Sequence, residues 1–136
     1  MTQSSFINLA AAVVSNGQGS YLFVRKRQSA YYMLAGGKIE AQEDSFTALV
    51  RELQEELHIA VPTYLPQWVG QFTAPAANEK GYQVRADIFK LYWPYPIQAD
   101  AEIEQAVWLS PSELAHTRLA PLARHVLSHW NQHSAL

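Results

Sequence analysis

The sequence predicts a single α+β domain of mixed strands with a few helices. Strand-like and helix-like stretches alternate with no regular strand–helix–strand repeat. One amphipathic helix runs from about Phe46 to Leu57. The 136 residues, 49% hydrophobic and without a low-complexity tract, leave room for one core and no second domain, so residues 1–136 are read as one unit.

Phe6 to Val14 and Tyr21 to Arg25 are expected to be strands joined as a hairpin by Ser15-Asn16-Gly17-Gln18-Gly19. Tyr31 to Leu34 reads as a short strand feeding Gly36-Gly37, where the missing Cβ atoms let backbone groups approach a ligand. Phe46, Leu49, Val50, Leu53 and Leu57 recur at steps of three and four, which makes one buried helical stripe, with Asp44 or Ser45 as its cap. After Pro62, Gln67 to Thr73 and Tyr82 to Trp93 read as strands around the loop Ala74 to Gly81, and Gln105 to Leu109 as another. Ser110 followed by Pro111 opens a helix, and Pro121 to His133 is the last one.

Glu52, Glu55 and Glu56 fall within one turn of the first long helix, on an arc of roughly 100° beside its apolar stripe. Like charges at i,i+4 destabilise a helix by about 0.2–0.5 kcal/mol per pair, and acids in the last turn oppose the helix dipole by ~0.3–1 kcal/mol more. Arg51 is the one cation beside them. It reaches Glu55 in the weaker order, and a single guanidinium does not neutralise three carboxylates. A hard divalent cation, Mg²⁺ or Mn²⁺, does; such ions take oxygen ligands and share them with substrate phosphates. An acidic helix face is most often simply solvated. The glycine pair directly ahead of this one points it toward a polyphosphate.

Gly37, Glu43, Arg51-Glu52-Leu53, Glu55-Glu56 and Ile59 follow the spacing Gly, five residues, Glu, seven residues, Arg-Glu, aliphatic, any residue, Glu-Glu, any residue, Gly, aliphatic, with His58 in place of the second glycine. This stretch resembles the signature of the Nudix hydrolases, the family of MutT-like pyrophosphohydrolases. The resemblance implies an α/β/α sandwich around a mixed β-sheet. It also implies hydrolysis of a nucleoside diphosphate linked to another moiety, with Mg²⁺ or Mn²⁺ as cofactor. Glu52, Glu55 and Glu56 would be metal ligands together with the Gly36 carbonyl, Arg51 would orient the glutamates, and Glu43 would secure the loop end of the helix. The water-activating base would be Glu52 or Glu55, with Glu102 as a further metal-binding or basic glutamate. His58 is expected to take a left-handed backbone at a small cost in stability. Ala35 stands where many relatives have proline.

Arg25 and Arg27, expected to alternate along one strand face, and Lys38 and Gly37 in the glycine loop, are candidates for binding phosphate. Each cation reads equally well as solvated surface charge. His125, His129 and His133 recur at four-residue steps, without a carboxylate or cysteine to complete a transition-metal site. Pro75, sixteen residues after Ile59, resembles a mark of ADP-ribose-cleaving members, while a small single domain equally suits those that destroy oxidised nucleoside triphosphates.

A net charge of −2 offers no broad basic field, so long nucleic acid is not an expected partner and a small nucleotide is. An RNA 5′-end pyrophosphohydrolase would call for a basic groove, and a non-catalytic nucleotide-binding module would have eroded carboxylates, whereas all of them are present. The absence of cysteine removes disulfides, thiolate nucleophiles and cysteine zinc sites. Phe6 to Val14 is far shorter than the roughly 20 residues of a membrane span, with no Lys or Arg before it. The expectation is a soluble cytoplasmic protein, monomeric or homodimeric.

Overall fold

A computed structural model describes residues 5–133, the side chains of 131–133 excepted. Its longest strands, β1 (Ser5–Ser15) and β5 (Tyr82–Tyr92), run parallel from Ser5 opposite Tyr82 to Ser15 opposite Tyr92. Side chains of β1 alternate between two cores. Ala10, Ala12 and Val14 join Leu49, Leu53 and Leu57 of α1 (Ser45–Leu57), whereas Ala11 and Val13 join Leu122, Val126 and Trp130 of α3 (Pro121–His133). A sheet covered on both faces explains why β1 reads as a continuous apolar run. The α/β/α sandwich is therefore the fold.

Around this pair the order is β4 (Gln67–Pro75), β5, β1, β2 (Tyr21–Lys26), β6 (Ile103–Leu109), with β3 (Ala35–Lys38) paired to β1. Every pairing but β1–β5 is antiparallel, so the sheet is mixed. Asp44 caps α1 by accepting from the Thr47 N–H at 2.7 Å. His58 ends it at φ 57°, ψ 35°, the left-handed conformation expected there, and its N–H bonds the Gln54 carbonyl at 3.1 Å. A reciprocal Ser110–Glu113 capping box opens the short α2 (Pro111–Leu114). Among the described residues no helix is long and apolar enough to cross a membrane.

Two local expectations change. Tyr31 to Leu34 is not a strand: Tyr32 and Met33 make isolated bridges to Leu119 and Val24, and the strand begins at Ala35. The reason is Gly36. At φ 147° it lies flat against β1, where a Cβ would overlap the Ala10 carbonyl oxygen and Ala11 Cα, so the glycine stretch itself makes the ladder. The expected β1–β2 hairpin is confined to one pair, Ser15 with Tyr21, because β3 occupies β1 at residues 9–12 and β2 continues its ladder with β6 instead.

Gly36→Ala therefore brings both a steric overlap and an unfavourable backbone. It is expected to lower stability by about 1–3 kcal/mol, measured by chemical denaturation. Unchanged stability would show that β3 does not approach β1 this closely.

Candidate active site

Helix α1 presents its acids toward β3. A Cβ on Gly37 would overlap the Glu52 carboxyl, so the second glycine of the pair makes room for an acid of the helix. Arg51 fastens the same corner. Its guanidinium donates to both oxygens of Glu43 at 2.7 and 2.9 Å, to Glu52 at 3.0 Å and to the Lys38 carbonyl at 3.0 Å. Bonding from Arg51, joined by the Glu40 N–H, holds the Glu43 carboxyl down to about 2. Glu43 thus stays ionised and keeps helix, loop and β3 together.

Glu52, Glu56 and Glu102 converge on one cleft of roughly 350 Å³, flanked by Lys26, Gly37 and Lys38 and by the more exposed Glu40 and Glu79. Glu56 is only 5% exposed, in the last turn of a helix with no basic residue there. Burial first, then the charges of Glu52 and Glu102, push its carboxyl up to about 8, partly offset by Lys26. A buried acid in this condition calls for a proton or a cation.

The donor set fits a hard divalent ion in one respect and leaves it open in another. Three carboxylates are the oxygen ligands that Mg²⁺ and Mn²⁺ prefer. Among the described residues, however, no three His, Cys, Asp or Glu side chains already form a closed metal-binding group. An open set suits Mg²⁺, which keeps several waters and is commonly held by one or two carboxylates plus substrate phosphates.

The other sequence candidates divide. Glu55 has a side chain 56% exposed, lies 3.6 Å from Arg51 and is outside the lining of the acidic cleft. Lys38 does line it and reaches Glu79 at 3.7 Å. Gly36 lines a neighbouring apolar cavity rather than the acidic cleft.

Arg25 and Arg27 do not share a strand face, because β2 ends at Lys26 and Arg27 sits in the following turn. Arg25 follows Phe23 on the α3 side; its guanidinium donates to the Ser29 carbonyl at 3.1 Å and covers Tyr32. Arg27 pairs with Glu104 at 3.2 Å. The cation that does reach the acids is Lys26, which follows Leu22 and Val24 on the α1 face. The two-residue period of that strand contains the signal. His125 and His129 stack edge-on at 4.9 Å and against Phe72, and the side chain of His133 lies outside the described residues.

The apolar cavity, small at roughly 80 Å³, lies beside the acidic cleft and shares Lys26 and Gly37 with it. Val24, Met33, Leu34, Pro75 and Leu122 supply much of its wall.

A family model described as NUDIX domain matches residues 7–130. The CTP pyrophosphohydrolase of Escherichia coli (strain K12) is 35% identical over 124 residues, 85% of this chain and 84% of that protein. The solution structure of the E. coli ORF135 protein superposes with a TM-score of 0.69 at 28% identity, covering 94% of this chain and 92% of that one. The crystal structure of the MutT protein from Methanosarcina mazei Go1 gives 0.80 at 20% identity over 97% of each chain. The NUDIX domain of Shewanella oneidensis NrtR, complexed with ADP ribose, gives 0.73 at 14% identity over 97% of this chain and 89% of that one. The last two likenesses concern the fold alone.

Glu56 makes stability depend on pH with a definite sign. Its folded value, about 8, lies above the ordinary 4.5, so between those limits the native state holds a proton that the unfolded chain has released. This contribution is full below about 4.5 and is lost as pH rises through about 8. Thermal unfolding in chelator is expected to show stability falling over that window, and Glu56→Gln to flatten the decline and melt higher at the alkaline end. An equal decline in wild type and variant would remove Glu56 as its source.

Proposed function

The chain belongs to the Nudix hydrolase family, and from that premise we propose that it is a divalent-metal-dependent pyrophosphohydrolase of nucleoside triphosphates, with CTP as the first candidate substrate. The observation that carries this reading is the convergence of Glu52, Glu56 and Glu102 in one cleft, with Glu56 nearly inaccessible and Lys26 beside it. The apolar wall that shares Lys26 and Gly37 with the cleft is the surface against which a base would lie, with the phosphates over the acids. The choice of CTP is supported by the 35% identity to the E. coli enzyme of that name.

In this reading Glu52, Glu56 and Glu102 hold the metal. A bound divalent ion would supply charge neutralisation for the polyphosphate and acidify its bound water. Lys26 and Lys38 bind phosphate oxygens as point charges. Glu52 takes the proton of the attacking water, whose oxygen joins one phosphorus as a phosphoanhydride bond breaks. The products are the nucleoside monophosphate and pyrophosphate. Glu52 is preferred to Glu55 because Arg51 and Gly37 fix it within the cleft, whereas Glu55 lies outside the lining. Arg51 acts through Glu52 and touches no substrate.

A second substrate, an ADP-ribose-like nucleoside diphosphate sugar, is favoured by Pro75 in the wall of the apolar cavity. RNA 5′ ends fit less well, since five glutamates against two lysines line the acidic cleft.

Incubation with Mg²⁺ and a panel of CTP, other nucleoside triphosphates, oxidised nucleotides, ADP-ribose and triphosphorylated RNA is expected to release pyrophosphate fastest from CTP. Faster cleavage of ADP-ribose, followed as AMP and ribose 5-phosphate because that substrate yields no pyrophosphate, would select the second reading, and no turnover of any compound would leave a binding module. Glu52→Gln is expected to lower kcat by about 10²–10⁴ with folding intact. Full activity in that variant would move the base elsewhere.

A further inference from the structure

Asp100 joins the end of α1 to the turn that carries Glu102. Its N–H donates to the Glu56 carbonyl at 2.9 Å, and its carbonyl accepts from the Ile103 N–H at 3.0 Å. One carboxylate oxygen accepts from the Ala101 N–H at 2.7 Å, and the other lies 2.6 Å from His58 Nε2. Beside it the Gln98 N–H bonds the Leu57 carbonyl at 3.1 Å, and the Glu102 carbonyl accepts from the Arg27 N–H at 3.0 Å. Ala101 is kept at φ 54°, a conformation that non-glycine residues rarely adopt without a surrounding frame. The frame is this set of bonds.

Backbone requirements do not account for the imidazole. At φ 57° glycine would sit with less strain than histidine, and the family signature has glycine there. Nor does the side-chain contact repay this as stability, because both partners are substantially exposed, His58 at 43% and Asp100 at 57%, and such surface contacts contribute little. What the histidine adds is a side-chain bond from the helix end to a turn whose next acid lines the catalytic cleft.

We propose that His58 and Asp100 form a positioning latch, which holds the turn at residues 100–102 against α1 so that Glu102 faces Glu52 and Glu56 across the cleft. The latch rests on the reading of Glu102 as a cleft ligand given above. His58 and Asp100 are positioning residues, and neither lines the cleft.

Four proteins test it: wild type, His58→Gly, Glu102→Gln and the double variant. They are compared by Mn²⁺ affinity from the free-ion electron paramagnetic resonance signal, by amide exchange in metal-free protein, and by kcat and KM for CTP. His58→Gly is expected to melt at the same temperature as wild type or higher, yet to exchange faster at the Asp100 and Ala101 amides. Its Mn²⁺ affinity should fall about 10-fold, with kcat reduced and KM little changed. In the Glu102→Gln background the same change should have no further effect, since it acts through that acid. His58→Asn also tolerates the left-handed backbone and is too short to make the same bridge, so it should repeat the pattern even where glycine loosens the helix end. Additive losses in the double variant, or undiminished Mn²⁺ affinity in His58→Gly while Glu102→Gln binds weakly, would overturn the latch and leave the role of Glu102 standing. Unchanged binding in Glu102→Gln would instead overturn that role, and the latch with it.

Discussion

The structure depends on a carboxylate buried without a cation bonded to it. Glu56 is enclosed in the last turn of α1, where the helix dipole, Glu52 and Glu102 all oppose its negative charge, and Lys26 only partly relieves it. Desolvating an acid in this way is among the more unfavourable arrangements a small domain can carry. It persists because the apolar stripe on the neighbouring arc of the same helix is strongly anchored: Leu49, Leu53 and Leu57 are fully buried against β1. At roughly 1.5–3 kcal/mol for each buried leucine, that stripe outweighs the repulsion among the acids. One helix thus serves two opposed ends, its core face stabilising the fold and its acidic face held ready for a positive charge.

Arg51 divides the acids into two groups. Glu43 and Glu52 receive its hydrogen bonds directly, and Glu55 is close enough for a weaker attraction. Glu56 and Glu102 receive none. The guanidinium also bonds the Lys38 carbonyl, so helix and glycine strand keep a fixed spacing with the Glu52 carboxyl against Gly37. Lysine has no planar fork with which to bond a carboxylate, a second acid and a carbonyl together. The arginine therefore organises the Glu52 side of the cleft without neutralising Glu56 and Glu102.

How much of this is legible in the sequence depends on the range of the interaction. Helix α1, a cap at Asp44 or Ser45 and the Ser110 cap with Pro111 are local and can be read from residue spacing, whereas the left-handed His58 follows from its place in the resembled signature. The acid cluster is legible for the same reason, and so is its need for a counter-charge. The glycine pair is only half legible. It signals close backbone approach, but that Gly36 approaches β1 and Gly37 approaches Glu52 depends on contacts remote in sequence. Without those contacts the strand is misplaced at Tyr31 to Leu34. Arg25 and Arg27 mislead because three cations run together, and which of them faces the acids depends on the face of β2 chosen by its apolar residues. Leu22 and Val24 point toward α1 and carry Lys26 with them.

Lys26 also joins the acidic cleft to the apolar cavity. The side chain lines both, and so does Gly37. Its four-carbon stem can cover the apolar wall while the ammonium stays near the carboxylates. A nucleotide has the same division, an aromatic base at one end and a polyphosphate at the other. The two compartments are formed by opposite preferences of one sheet. Leu34, Val84 and Leu122 belong to the core on the α3 side, and Glu52 and Glu56 come from the helix on the other face. They meet where β3 ends its ladder on β1, since a four-residue strand of alanine, two glycines and lysine leaves no bulky side chain at the join. The small residues of β3 are therefore as much a part of the site as the acids: they let the two faces of the sandwich open into each other.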